Sequence, residues 1–184
     1  KNLAEIFLKK MPIAFVQLGS STEYGNIQSP QKESAECNPK LIKSIYGKAK
    51  LLSSLYLINL FKKKNFPSTI LRLYLAYGPR QDTNRFLPII IEGCIKNKKF
   101  PCSKGTQLRD FVHVYDVVDA IQKTLTNKNS RGQIINIGSG KPQKLKKIIE
   151  YIKKISKGGK PQFGKIKLRK DEIFKLYPNI KKAK

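Results

Sequence analysis

Two short apolar runs, Ala14-Phe15-Val16-Gln17-Leu18 and Thr69 to Leu75, predict strands of a parallel sheet buried on both faces. Between them Leu51, Leu52, Leu55, Ile58 and Leu60 form the apolar side of a predicted long helix from about Leu41 to Lys64. Asn2 to Lys10 reads as a helix preceding the first strand. Gly25 to Pro39 is polar and holds two prolines, which predicts a loop over the end of that strand. Beyond Tyr77 the elements shorten, punctuated by Gly and Pro. Helices are expected at Arg85–Lys96, Asp116–Thr126 and Lys144–Ile155, and strands at Phe111–Val114 and Gln133–Ile137. The alternation predicts an α/β fold.

The end of the first strand and the start of the long helix carry the candidate chemistry. Gly19-Ser20-Ser21-Thr22-Glu23-Tyr24-Gly25 and Tyr46-Gly47-Lys48-Ala49-Lys50 supply a hydroxyl, a phenol and an ammonium, the groups that carbonyl–alcohol redox chemistry needs. Positions four apart lie on one helix face, so Tyr46 and Lys50 are expected to project into one cleft. A phenol of ordinary acidity is a poor base near neutrality, and a fixed ammonium beside it favours the phenolate. Tyr46 is therefore expected to trade a proton with a substrate hydroxyl, while Ser20 hydrogen-bonds the same oxygen as its charge changes.

Further blocks follow in order: Leu71-Arg72-Leu73-Tyr74 with Tyr77-Gly78-Pro79-Arg80, then Arg109-Asp110-Phe111-Val112-His113-Val114, then Asn136-Ile137-Gly138-Ser139-Gly140. With the Ser-Ser-x-x-Tyr-Gly and Tyr-x-x-x-Lys blocks, this set resembles the extended short-chain dehydrogenase/reductase family. More narrowly, it resembles the NAD-dependent epimerase/dehydratase enzymes that act on nucleotide sugars. The resemblance implies a Rossmann-like, doubly wound parallel sheet with a smaller α/β substrate-binding domain. Residues 1–79 would be the C-terminal half of the NAD(P)-binding domain, and residues 80–184 mainly the substrate domain. The Gly-rich turn that opens the family's fold and receives the dinucleotide pyrophosphate does not occur, and the chain starts with Lys1 rather than Met. It ends in family-like sequence, Asp171-Glu172-Ile173 to Lys182. The expectation is an internal or C-terminal part of a longer enzyme, inactive alone and prone to aggregate through unpaired strand edges.

The resemblance also implies site residues. Ser20, Tyr46 and Lys50 would be catalytic and would contact NAD or NADP, with Lys50 on the nicotinamide ribose. Arg109 would grip the substrate diphosphate with its planar fork of donors, its alternative being an ion pair with Asp110 or Asp116. Ser21, Thr22, Arg85 and Phe86 would complete the substrate pocket. His113, the single histidine, is read as a packed residue without chemistry. The expected reaction is nucleotide-sugar 4-epimerisation through a 4-keto intermediate, by a homodimer when full length, with a 4-keto-sugar reductase or dehydratase of the family as the alternative. Dehydration is disfavoured, because Ser21 and Thr22 stand where the 4,6-dehydratases carry an acidic pair. Leu75 stands where many epimerases carry a diphosphate-holding Asn, a departure from the usual UDP-hexose pattern.

Composition changes this picture little. The 184 residues with 40% apolar content are enough for a real core. A net charge of +26 raises nucleic acid, an anionic membrane or another acidic partner, and with them a non-catalytic binding protein. Only six of the 38 basic residues are arginine, however, and the lysines are spread along the chain, the pattern of solvated helix faces. Neither nucleic acid nor membrane is expected as a partner. Cys37, Cys94 and Cys102 lie far apart without a C-x-x-C, so no disulfide framework or metal site is expected and a reducing cytoplasm fits.

Overall fold

The computed structural model describes residues 2–169 and 172–184. Lys1, and Asp171 at the head of the family-like C-terminal run, lie outside the described residues. The chain opens with α1 (Asn2–Phe7), β1 (Phe15–Ser20), α2 (Ile45–Lys64), β2 (Ser68–Leu73), β3 (Leu75–Tyr77) and α3 (Phe86–Ile95). It continues with β4 (Lys99–Cys102), β5 (Leu108–Arg109), β6 (Phe111–His113), α4 (Val114–Thr126) and β7 (Ile134–Ile137). The last elements are β8 (Gln143–Lys144), α5 (Leu145–Ser156), β9 (Lys160–Phe163) and β10 (Lys175–Leu176).

Strand β2 is the axis of the main sheet. It lies between β1 and β7 and pairs in parallel with both, Gly19 facing Arg72 on one side and Asn136 facing Arg72 on the other. Neighbouring side chains leave opposite faces of a strand, and both faces of β2 are covered. Ile70 packs with Phe66, with Leu57 and Leu60 of α2, and with Ala4 of α1. Leu71 packs with Val112, Val117 of α4 and Ile137. Helices on both faces of a parallel sheet are the doubly wound arrangement that the apolar runs and the family resemblance imply. A separate core joins α3, β4 and α5 through Ile90, Cys94, Phe100, Cys102, Ile149 and Ile152. The chain crosses between the two bodies, since residues 111–137 return to the main sheet while residues 86–102 and 145–163 build the second core.

Three local differences from the sequence reading have physical causes. The helix expected from Leu41 starts at Ile45, because Ser44 Oγ accepts the Gly47 N–H (3.2 Å) as its cap, while Pro39–Leu41 forms a short 3₁₀ turn capped by Asn38. The strand expected to run from Thr69 to Leu75 breaks at Tyr74, where pairing passes from β7 to β6: the Tyr74 N–H donates to Ile137 O and the Leu75 N–H to Asp110 O. Strands β4 and β9, a parallel pair, were not expected, because each contains a proline, Pro101 and Pro161.

Helix α2 rests directly on the turn that follows β1. A Cβ on Gly47 would stand 2.7 Å from the Thr22 carbonyl oxygen, so only glycine lets the helix come this close. Glycine to alanine in an open helix gains about 1 kcal/mol from propensity. Gly47→Ala is expected to destabilise instead, and urea unfolding gives the sign directly. In the same experiment Leu71→Ala, which empties a fully buried position in β2, is expected to cost about 2–5 kcal/mol. Lys123→Ala, which removes a solvent-exposed ion pair with Asp119, is expected to change stability by less than about 1 kcal/mol.

Candidate active site

Strand β1 ends at Ser20, and the chain turns at once into a 3₁₀ turn, Ser21–Tyr24. The Ser20 Oγ accepts from the Thr22 N–H (3.2 Å) and from the Thr22 hydroxyl (2.8 Å). Both acceptor positions of that oxygen are then used, which leaves its own O–H to donate outward. The turn is closed by Glu23, whose Oε1 accepts the Ser20 N–H (2.8 Å) and whose Oε2 accepts Arg72 Nε (2.9 Å). This ion pair is buried, with side-chain exposures of 0% for Glu23 and 2% for Arg72. Burial, the largest influence, works to lower the Arg72 pKa, but the Glu23 carboxylate and the Tyr24 phenol carry it above the usual value.

Ser20 and Tyr46 line one cleft of about 610 Å³ at the C-terminal ends of β1 and β2, together with Leu75, Tyr77, Arg85 and Phe86. Tyr46, in the first turn of α2, is 56% exposed. Lys50 stands one turn on, its ammonium 5.7 Å from the Tyr46 ring centroid, and its Nζ donates to the Leu18 carbonyl (2.9 Å). Tyr46 and Lys50 share a helix face as expected, but they do not both enter the cleft: Tyr46 lines it, whereas the Lys50 ammonium turns to the Leu18 carbonyl within β1. Two nearby tyrosines have other duties. Tyr24 Oη donates to Asn136 Oδ1 (2.8 Å) and Tyr74 Oη to Gln31 Oε1 (2.7 Å), and burial pushes both phenols above their ordinary pKa. They are fixed as neutral donors. Tyr46 is the tyrosine that opens to the cleft from a helix beside Ser20.

The remaining candidate residues fall elsewhere. Ser21, Thr22 and Arg109 line a second cavity of about 310 Å³ with Ser44, Arg169 and Glu172. Arg109 pairs there with Glu172 (2.5 Å), rather than with the Asp110 or Asp116 that the sequence offered as alternatives. Burial, the largest effect, holds the Arg109 pKa below its usual value despite that carboxylate. A third cavity of about 280 Å³ is mostly apolar, walled by Ile89, Ile90, Pro101 and Leu145. Phe86 belongs to both the third cavity and the cleft, and Arg169 and Glu172 to both the third and the second. The third cavity therefore adjoins each of the other two through shared walls.

Much of the remaining motif sequence holds this corner together. Asn136 accepts from Tyr24 and donates to the carbonyls of Gln31 (2.9 Å) and Asn179 (3.3 Å), so β7 fastens the loop after the turn and the C-terminal segment. Asp110 Oδ1 accepts the Ser139 N–H (2.6 Å), securing the Gly138–Gly140 loop; burial raises its pKa, opposed by these backbone donors. His113 caps α4, its Nδ1 accepting the Tyr115 N–H (3.3 Å), and packs edge-on against Tyr77. Sequence reasoning missed Glu23 and Arg72 as a pair, and Arg169 and Glu172 as cavity residues. The first had two signals: Ser-x-x-Glu is a capping box, and an arginine inside an apolar strand needs a buried counter-charge. Among the described residues no group of His, Cys, Asp and Glu could hold a metal, and no helix is long and apolar enough to cross a membrane.

Residues 1–138 match the family model described as "NAD dependent epimerase/dehydratase family". A putative UDP-glucose 4-epimerase of Methanocaldococcus jannaschii is 33% identical over 159 residues, covering 84% of this chain and 50% of that protein. A dTDP-D-glucose 4,6-dehydratase of Mus musculus is 30% identical over 144 residues, covering 76% of this chain and 40% of that protein. The chain thus spans half or less of the length of these curated relatives. The crystal structure of UDP-glucuronic acid 4-epimerase from Bacillus cereus, in complex with UDP-glucuronic acid and NAD, superposes with a TM-score of 0.87 at 27% identity. That match covers 98% of this chain and 57% of the other. With its ordered motifs, its doubly wound sheet and the match over residues 1–138, the chain belongs to the NAD-dependent epimerase/dehydratase family.

Proposed function

We propose that this chain carries the catalytic tyrosine and the substrate side of an NAD(P)-dependent nucleotide-sugar 4-epimerase working through a 4-keto sugar, with a 4-keto-sugar reductase as the second reading. The observation that carries it is the adjacency of three chemically different spaces, which share wall residues. An apolar cavity beside Phe86, a cavity bearing Arg109 and Arg169, and a cleft bearing Ser20 and Tyr46 correspond to the base, the diphosphate and the sugar of one ligand. Glu23 supports epimerase or reductase over dehydratase: both its oxygens are engaged, by Ser20 and Arg72, and it is buried away from the cleft. Ser21 and Thr22 bring no carboxylate to that position.

The residues present fit the redox end of a nicotinamide dinucleotide, since Ser20 and Tyr46 share the cleft at the strand ends where such a ring is bound in doubly wound folds, and Lys50 stands one helical turn from Tyr46. Ser20, Tyr46 and Lys50 would hold it. When bound, it supplies the acceptor and donor of hydride. Tyr46 takes the proton of the sugar 4-hydroxyl as the carbonyl forms and returns it as the alcohol is restored. The Ser20 O–H, left outward by the two hydrogen bonds that its oxygen accepts, donates to the same sugar oxygen and stabilises the charge that develops there. In an epimerase the keto sugar turns over in the cleft before reduction. In a reductase it enters as substrate and leaves as alcohol. The family resemblance extends to a homodimeric, cytoplasmic enzyme.

In the complete protein, Tyr46→Phe is expected to lower kcat by about 100-fold or more, the usual scale for losing a positioned proton-transfer group. Near-normal turnover of Tyr46→Phe on a panel of nucleotide sugars would contradict the reading. Arg109→Met is expected to act differently: it should raise KM for the nucleotide sugar by about tenfold, the loss of a charged hydrogen bond to phosphate. Its kcat should stay within about threefold of the unsubstituted enzyme, because a contact made equally in ground and transition states leaves kcat unchanged. Initial-rate kinetics separates the two.

A further inference from the structure

We infer that Glu23 and Arg72, with the space left by Gly19, form a buried clamp that positions the Ser20 hydroxyl for the substrate oxygen. Neither side chain touches the cleft, so both are positioning residues that act through Ser20. The inference rests on the reading of Ser20 given under Proposed function.

Gly19 and Arg72 face each other across the β1–β2 ladder. At an ordinary position of this ladder a side chain would fill the space beside Arg72. A Cβ on Gly19 would instead collide with Glu23 Oε1, and would stand 3.4 Å from Arg72 Cγ. The missing side chain is where the carboxylate folds back. From there one carboxylate oxygen holds the backbone N–H of Ser20 and the other holds Arg72, so the residue bearing the hydroxyl is tied to the neighbouring strand through charge-assisted hydrogen bonds. Arg72 extends the tie: its guanidinium lies 4.4 Å from the Tyr24 ring centroid, and Tyr24 is bonded to Asn136 on β7. The Ser20 turn is thereby referred to the ends of all three strands of the main sheet. Hydrophobic packing alone would hold a 3₁₀ turn less directionally than two ionic hydrogen bonds fixed in a dry pocket. Catalysis is sensitive to such placement, because an error of about 1 Å costs on the order of 100-fold.

The test is a double-mutant cycle in the complete protein, with Glu23→Gln, Ser20→Ala and the two combined. Glutamine keeps the volume of glutamate but removes the charge opposite Arg72. Glu23→Gln is expected to lower kcat by about tenfold or more, with KM for the nucleotide sugar within about twofold. Added to Ser20→Ala, it is expected to cost less than about a further twofold, because the hydroxyl it positions is already gone. Gly19→Ala, which displaces the same carboxylate, should show the same non-additivity. Losses that multiply in full would mean that the pair supports the fold generally, and would overturn the positioning role while leaving the proposed chemistry intact. Undiminished turnover of Ser20→Ala alone would overturn both. Should neither clamp variant fold, amide hydrogen exchange of the unsubstituted protein decides. The Ser20 N–H should exchange as slowly as that of Ile70 in β2, and rapid exchange at Ser20 beside a protected β2 would overturn the clamp.

Discussion

A single ion pair, Glu23 with Arg72, stands where the sheet ends and the candidate site begins. Removing two charges from water is costly, and the cost is met only when geometry and further hydrogen bonds are complete. Here the carboxylate has the Ser20 amide as its second partner, and the guanidinium lies over the face of Tyr24. The pair also explains two features that would otherwise be unrelated: a glycine at the penultimate position of β1, and an arginine between Leu71 and Leu73 in a strand buried on both faces. Replacing any one of these residues leaves an unsatisfied charge or a steric conflict in the interior. The polar corner built outward from this pair, through Tyr24, Asn136, Gln31 and Tyr74, joins β1, β2 and β7 to the loop after the turn and to the C-terminal segment.

That construction divides labour among hydroxyl-bearing residues that look alike in sequence. Tyr24 and Tyr74 are buried donors with raised pKa, suited to holding loops. Tyr46 stands open at the start of α2. Ser20 and Ser21 are adjacent, yet they line different cavities, because the chain turns between them. Thr22 belongs to the second cavity by position and to Ser20 by hydrogen bond. Burial and hydrogen-bond partners thus separate fixed phenols from an open one.

The main architecture was legible in the sequence. The apolar runs around Val16 and Ile70 and the helical spacing from Leu51 to Leu60 predict a parallel sheet with a packed long helix, and these elements are present. What escaped depends on partners distant in the chain. The break at Tyr74 arises because β2 pairs with β7 whereas β3 pairs with β6, which no local pattern encodes. Strands β4 and β9 hide behind Pro101 and Pro161. At the site, Tyr46 and Lys50 were legible from helical spacing, but the separation of Ser21, Thr22 and Arg109 from Ser20 and Tyr46 was not, since it follows from the direction of one turn. The Glu23 capping pattern could be read locally; its arginine lies 49 residues away. Arg109 was read as a grip on the diphosphate or a partner of nearby Asp110 or Asp116, whereas the carboxylate it meets, Glu172, lies 63 residues further on.

In the proposed chemistry Tyr46 and Ser20 share one substrate oxygen at the end of β1. A crystal structure of the complete protein with a nucleotide sugar bound tests this most directly. The account predicts the sugar hydroxyl within about 2.6–3.2 Å of both Tyr46 Oη and Ser20 Oγ, with the diphosphate against Arg109. A sugar seated away from β1, with Tyr46 facing solvent and Ser20 bonded to Thr22 alone, would contradict it.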